Sequence, residues 1–158
     1  MKNTISITWD ELQQQIDLRN FYMGESAKRK DPDADTIQSS KDDEELLITF
    51  ARQACNELVT AVALRFPLIT YSVDSENISL EFETMDAKRQ YLLPMLKQSI
   101  TDYLTNEVTM HWLLTRQPQM AQSCIALRNK LHDNVQFLFA KFYNTVKTRR
   151  RSTDLAGI

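Results

Sequence analysis

Residues 120–146 read MAQSCIALRNKLHDNVQFLFAKFYNTV. Met120, Cys124, Leu127, Leu131, Val135, Leu138, Phe142 and Val146 recur at steps of three and four, with polar residues between them. That spacing places them along one seam of a single long helix. A seam of this kind must bury itself on another element, and the segment just upstream supplies one. Leu92, Leu93, Leu96, Ile100, Tyr103, Leu104, Val108, Trp112 and Leu113 repeat the helical spacing as far as the break at Gln117-Pro118-Gln119. The short connection predicts two antiparallel neighbours. Pro94 predicts a kink or a fresh helix start near it.

A third long helix is expected farther upstream. Ser40 and the acidic run Asp42-Asp43-Glu44-Glu45 suit a helix N-terminus, where carboxylates face the positive end of the dipole. Leu47, Phe50, Ala51, Ala54, Leu58, Val59, Ala61, Val62 and Phe66 then form a broad apolar stripe that ends at Pro67. The expected core is the meeting line of the three helices: Leu58, Val62, Leu96, Ile100, Leu104, Leu131, Val135 and Leu138.

Between the first of these helices and the second, the period changes. Ile69, Tyr71 and Val73 alternate with polar residues, and so do Ile78, Leu80 and Phe82 after Asp74-Ser75-Glu76-Asn77. Period two on both sides of a polar turn predicts a β-hairpin over residues 68–83. The fold class is therefore mainly α, a helical bundle with one inserted β-hairpin.

The ends of the chain read differently. Thr8-Trp9-Asp10-Glu11 is a capping box flanked by Ile7 and Leu12 at staple spacing. It predicts a short helix from about Trp9 to about Asn20 in an N-terminal arm, residues 1–23. Residues 24–40 carry no apolar period and read as a polar linker, mobile from Gly24 to Asp35. The helical domain spans 41–147. Residues 148–158 form a basic, flexible tail.

Composition excludes several kinds of function. Two glycines in 158 residues leave no material for Gly-rich phosphate loops. A net charge of −2 lacks the basic excess usual in nucleic-acid domains. Cys55 and Cys124 sit in apolar helical patterns and are expected as reduced core residues, without a disulfide. No run approaches the roughly 18 apolar residues of a membrane span, and the first residues do not form a secretion signal. A cytoplasmic protein is expected, with no membrane partner.

No catalytic constellation emerges. His111 stands one turn after Glu107, but two ligands do not complete a zinc site, and His132-Asp133 is a commonplace pair. Neither cysteine nor any serine stands on a nucleophile turn. The expectation is no enzyme, no metal and no cofactor.

Two features remain as candidate binding elements. Hairpin residues Ser79, Glu81 and Glu83 would lie on an exposed edge that a neighbouring strand could join. Lys147, Arg149, Arg150 and Arg151 could contact phosphates, as could Lys28-Arg29-Lys30 in the linker.

The order of features is also informative: Ile37-Gln38-Ser39-Ser40-Lys41-Asp42-Asp43-Glu44-Glu45-Leu46-Leu47, a helix, a strand pair, Leu92-Leu93-Pro94, Tyr103-Leu104-Thr105-Asn106-Glu107 and Trp112-Leu113. It resembles small structural proteins encoded in prophage head-and-tail gene clusters. In layout it is similar to helical head–tail connector and tail-completion proteins, which form rings. The resemblance covers most of residues 1–146 as an element pattern and transfers no functional residue. It implies a virion assembly subunit without catalysis, a homo-oligomer that also contacts other virion proteins. The alternative is a helical regulatory or nucleic-acid accessory protein that uses the basic tail.

Overall fold

A computed structural model describes residues 2–30, 43–66, 69–83 and 87–143. The first element is a strand, β1 (Lys2–Thr8), followed directly by helix α1 (Trp9–Lys30). The switch happens at the capping box. The Thr8 hydroxyl accepts from the Glu11 amide at 3.2 Å, and the Glu11 carboxylate accepts from the Thr8 amide at the same distance. Ile7 and Leu12 on either side of it are fully buried, as a hydrophobic staple requires.

Helix α2 (Glu44–Ala63) follows, then a hairpin of β2 (Thr70–Val73) and β3 (Asn77–Glu83). The hairpin loop is an Asx turn, with Asp74 Oδ1 accepting from the amides of Glu76 and Asn77 at 2.8 and 2.7 Å. A 3-10 segment, Ala87–Leu92, leads into α3 (Leu93–Arg116). Pro94 sits in the first turn of α3, where its missing N–H costs nothing, so the proline starts this helix and does not kink it. A second 3-10 turn, Pro118–Ala121, reverses the chain into α4 (Gln122–Tyr143). The fold is mainly α with an inserted β-hairpin, as the periodicity indicates.

The hairpin does not stand alone. β1 pairs antiparallel with β3, giving a three-stranded sheet in the order β1-β3-β2. Inward residues Ile5, Ile7, Ile78, Leu80 and Phe82 are buried, and the Phe82 ring meets Phe139 and Phe142 of α4 edge-on at 5.3 and 5.7 Å. Each aromatic pair of this kind adds about 0.5–1.5 kcal/mol beyond its buried area. Helix α3 is the axis of the molecule and packs on α1, α2, α4 and the sheet.

Three expectations change. The N-terminal arm is part of the body: Ile5, Ile7, Trp9, Leu12 and Ile16 all belong to the main core. The helix expected to stop near Asn20 runs to Lys30, so the linker expected from Gly24 does not begin there. Residues 31–40 of that linker, the Ser40 cap and the tail from 148 lie outside the described residues. Finally, the seam of α4 is only partly buried. Cys124, Val135, Leu138 and Phe142 are interior, Leu131 is half-buried and Leu127 is 39% exposed. The inward slot between Cys124 and Leu131 goes to Arg128, which reaches a carboxylate inside the bundle.

Candidate functional site

Eight consecutive residues of α3, Tyr103–Met110, are buried, and four of them are polar: Thr105, Asn106, Glu107 and Thr109. An interior helix is ordinarily apolar all round, so each polar group needs an account. The Asn106 amide donates to the Cys124 carbonyl at 3.0 Å and ties α3 to the start of α4. Glu107 has no solvent exposure. Its Oε1 lies 2.9 Å from Arg128 Nε, an ion-pair contact without the alignment of a hydrogen bond. Arg128 Nη2 reaches Glu57 of α2 at 3.2 Å. His111 Nε2 stands 3.8 Å from the other Glu107 oxygen, and its ring stacks on Phe50.

Burial raises the Glu107 carboxyl above its ordinary range, with Arg128 opposing the shift. Burial also lowers the His111 imidazole and raises the Tyr103 phenol. The arrangement is an ionic clamp joining α2, α3 and α4. A small cavity of about 230 Å³ beside it is lined by Glu57, Tyr103, Arg128, Asn129 and His132. Among the described residues no serine or cysteine lines it, and the nearby Cys55 thiol is pushed up to about 12 by burial. Among the described residues there is no cluster of three His, Cys, Asp or Glu side chains able to hold a metal. Likewise, no described helix is long and apolar enough to cross a membrane.

A larger feature lies on the opposite flank of α3. Helices α1 and α4 stand apart over it and leave an open groove of about 600 Å³. Leu18, Tyr22 and Met23 form one wall, and Leu127 and Leu131 form the other. Thr105 and Asp102 of α3 lie between them. Leu18 is 48% and Tyr22 63% exposed, and the adjacent Phe21 is 54% exposed with its ring edge-on to Tyr22 at 5.8 Å. The Thr105 hydroxyl is buried and has no hydrogen-bond partner among the described residues. Arg19, also in the lining, meets no carboxylate within ion-pair distance among the described residues. The groove thus has apolar walls, with a buried hydroxyl and a guanidinium that have no side-chain partner among the described residues.

The residues singled out from sequence lie elsewhere. Ser79, Glu81 and Glu83 are on β3, the middle strand, and do not form an outer edge. The bond from the Asp74 amide to the Asn77 carbonyl fixes which β3 residues face β2. With the strand register, that parity turns the backbone groups of Ser79 and Glu81 toward β2. The other side of β3 is taken by β1. The expected free edge at these residues is thereby corrected, because a segment seventy residues upstream occupies it. Lys147, Arg149, Arg150 and Arg151 lie outside the described residues, and Lys28, Arg29 and Lys30 fall on the last turn of α1. Sequence reasoning placed Leu127 on the helical seam and Leu131 in the core, and so missed the groove. The exposed pair Phe21-Tyr22, beyond the narrow apolar face of α1, was the available signal for it.

No protein-family model, curated protein or solved structure matches the chain.

Proposed function

We propose that this chain is a non-enzymatic assembly subunit that docks a helix of another protein in the groove between α1 and α4. The observation that carries the reading is the groove itself. Exposed Leu18, Phe21, Tyr22 and Leu127 make an apolar patch of the kind that marks protein contacts. Two helical walls over a third helix accept an amphipathic helix through anchors at i, i+3, i+4 and i+7. Arg19, which meets no carboxylate among the described residues, suits an acidic residue on that helix, and Thr105 offers it a hydrogen bond. The layout resemblance adds the setting: a phage or prophage virion subunit at the head–tail or tail junction, in contact with other virion proteins.

The test titrates the full-length protein with each purified product of the genes adjacent to its own, followed by calorimetry. One tight complex is expected. Tyr22→Asp and Leu127→Asp should each weaken it by about tenfold or more, since central aromatic and aliphatic anchors commonly carry over 1 kcal/mol. Both positions are exposed, so the thermal melt of the free protein should not move. If no adjacent product binds, or if neither substitution weakens the complex, the groove reading is wrong.

A further inference from the structure

The three-stranded sheet has two edges, and they are built differently. β2 is four residues long, and its outward Val73 carbonyl accepts from Arg52 of α2 at 3.5 Å. β1 is seven residues long and, among the described residues, no strand pairs with its outer side. The Trp9 amide donates to the Glu76 carbonyl, so in this antiparallel register the odd residues Asn3, Ile5 and Ile7 bond to β3. The amides and carbonyls of Thr4 and Ser6 therefore point away from the sheet. The Thr8 amide points the same way, and there it is free to be taken by Glu11. Proteins ordinarily blunt such an edge with proline, a bulge or an inward charge. β1 contains neither proline nor an inward charge, its register with β3 is continuous, and its one charged residue, Lys2, lies at the far end.

The sequence of this edge reads the same in both directions about Ser6: Thr4-Ile5-Ser6-Ile7-Thr8. We infer that β1 pairs with β1 of a second copy of this chain about a two-fold axis at Ser6, joining two sheets into one of six strands. In that register Ser6 faces the partner's Ser6, Thr4 faces its Thr8 and Ile5 faces its Ile7. Hydroxyls then meet hydroxyls on the exposed face, a pairing that favours antiparallel association, while Ile5 and Ile7 are already buried within each chain. The outward groups of Ser6 bond reciprocally across the axis, as an isologous interface requires. The same axis carries Lys2, which pairs with Glu81 at 2.9 Å in its own chain, to the register position of the partner's Asp10 in the first turn of α1. The groove on the far side of α3 takes no part, and this pairing stands or falls independently of the groove.

The experiment combines sedimentation equilibrium of the full-length chain with cysteine cross-linking. Wild type should form a dimer. Ser6→Pro removes only an outward donor and leaves the β1–β3 bonds in place, and proline is tolerated at such edge positions. It should return the protein to monomer with an unchanged helical circular-dichroism spectrum. Ser6→Cys should oxidise to a covalent dimer, because opposed residues of a hydrogen-bonded pair stand about 5.5 Å apart, within disulfide reach. Thr4→Cys should not, since its two copies would be roughly 14 Å apart in this register. The native cysteines Cys55 and Cys124 are buried and do not interfere. A monomeric wild type overturns the inference. So does a Ser6→Pro protein that folds and stays dimeric, or cross-linking at Thr4 in preference to Ser6. A wild-type monomer whose β1 edge binds a strand of a different protein overturns it as well.

Discussion

Glu107 is the residue on which the interior depends most sharply. Its carboxylate has no solvent exposure, and among the described residues Arg128 is the one permanent cation within ion-pair distance of it. Because burial raises its pKa in the folded state, the fold binds this proton more tightly than the unfolded chain does. The sign follows from linkage: stability is highest below the unfolded value of about 4.5 and falls as pH rises toward the folded value. His111, with its pKa lowered by burial, works the other way and loses stability as pH falls through its ordinary 6.5. Arg128→Leu strands the carboxylate. Urea melts at pH 8 should show a loss of about 1–3 kcal/mol, the cost of an unpaired buried acceptor, and the loss should be smaller at pH 4, below the ordinary carboxyl value of 4.5, where a raised pKa keeps Glu107 protonated. Glu107→Gln in the Arg128→Leu background should recover most of the loss at pH 8. A loss that is equal at both pH values, or no recovery in the double variant, would show that the ion pair is not what matters there.

At the scale of elements, local signals in the sequence were readable and distant ones were not. The Thr8–Glu11 box, the Pro94 start, the Pro118 break and the period-two hairpin each depend on residues within a few positions, and all form where the sequence puts them. β1 escaped because its partner is β3, some seventy residues on, and only Ile5 and Ile7 mark its alternation. Helix α1 was read too short because its second half turns polar after Met23, although nothing there except Gly24 opposes a helix. The candidate site was less legible still: the three-four spacing of α4 does not reveal that Arg128 takes the inward slot, which leaves Leu127 at the surface. This division predicts a graded mutational response in thermal or urea melts. Leu104→Ala, in the fully buried axis, should cost about 2–5 kcal/mol. Thr8→Ala should cost about 0.5–2 kcal/mol through the lost cap. Leu127→Ala should cost less than about 0.5 kcal/mol, as surface changes do. A Leu127 variant as damaging as Leu104 would place α4 in the register first read from its sequence.

Taken whole, the molecule keeps its polar chemistry inside and its unused apolar and backbone surface outside. The clamp of Glu57, Glu107 and Arg128 locks three helices, while the groove beside Tyr22 and the β1 edge are left without partners among the described residues. The proposed assembly role rests on two surfaces of different character, the groove and the β1 edge. One is apolar and shaped for a helix, and the other is a strand edge that matches itself. The most direct measurement is the solution mass of the full-length chain by sedimentation equilibrium, alone over a wide concentration range and then mixed with the products of adjacent genes. The account predicts particles heavier than the 18.4 kDa chain, with a further increase in at least one mixture. A particle of 18.4 kDa at every concentration and in every mixture would contradict it.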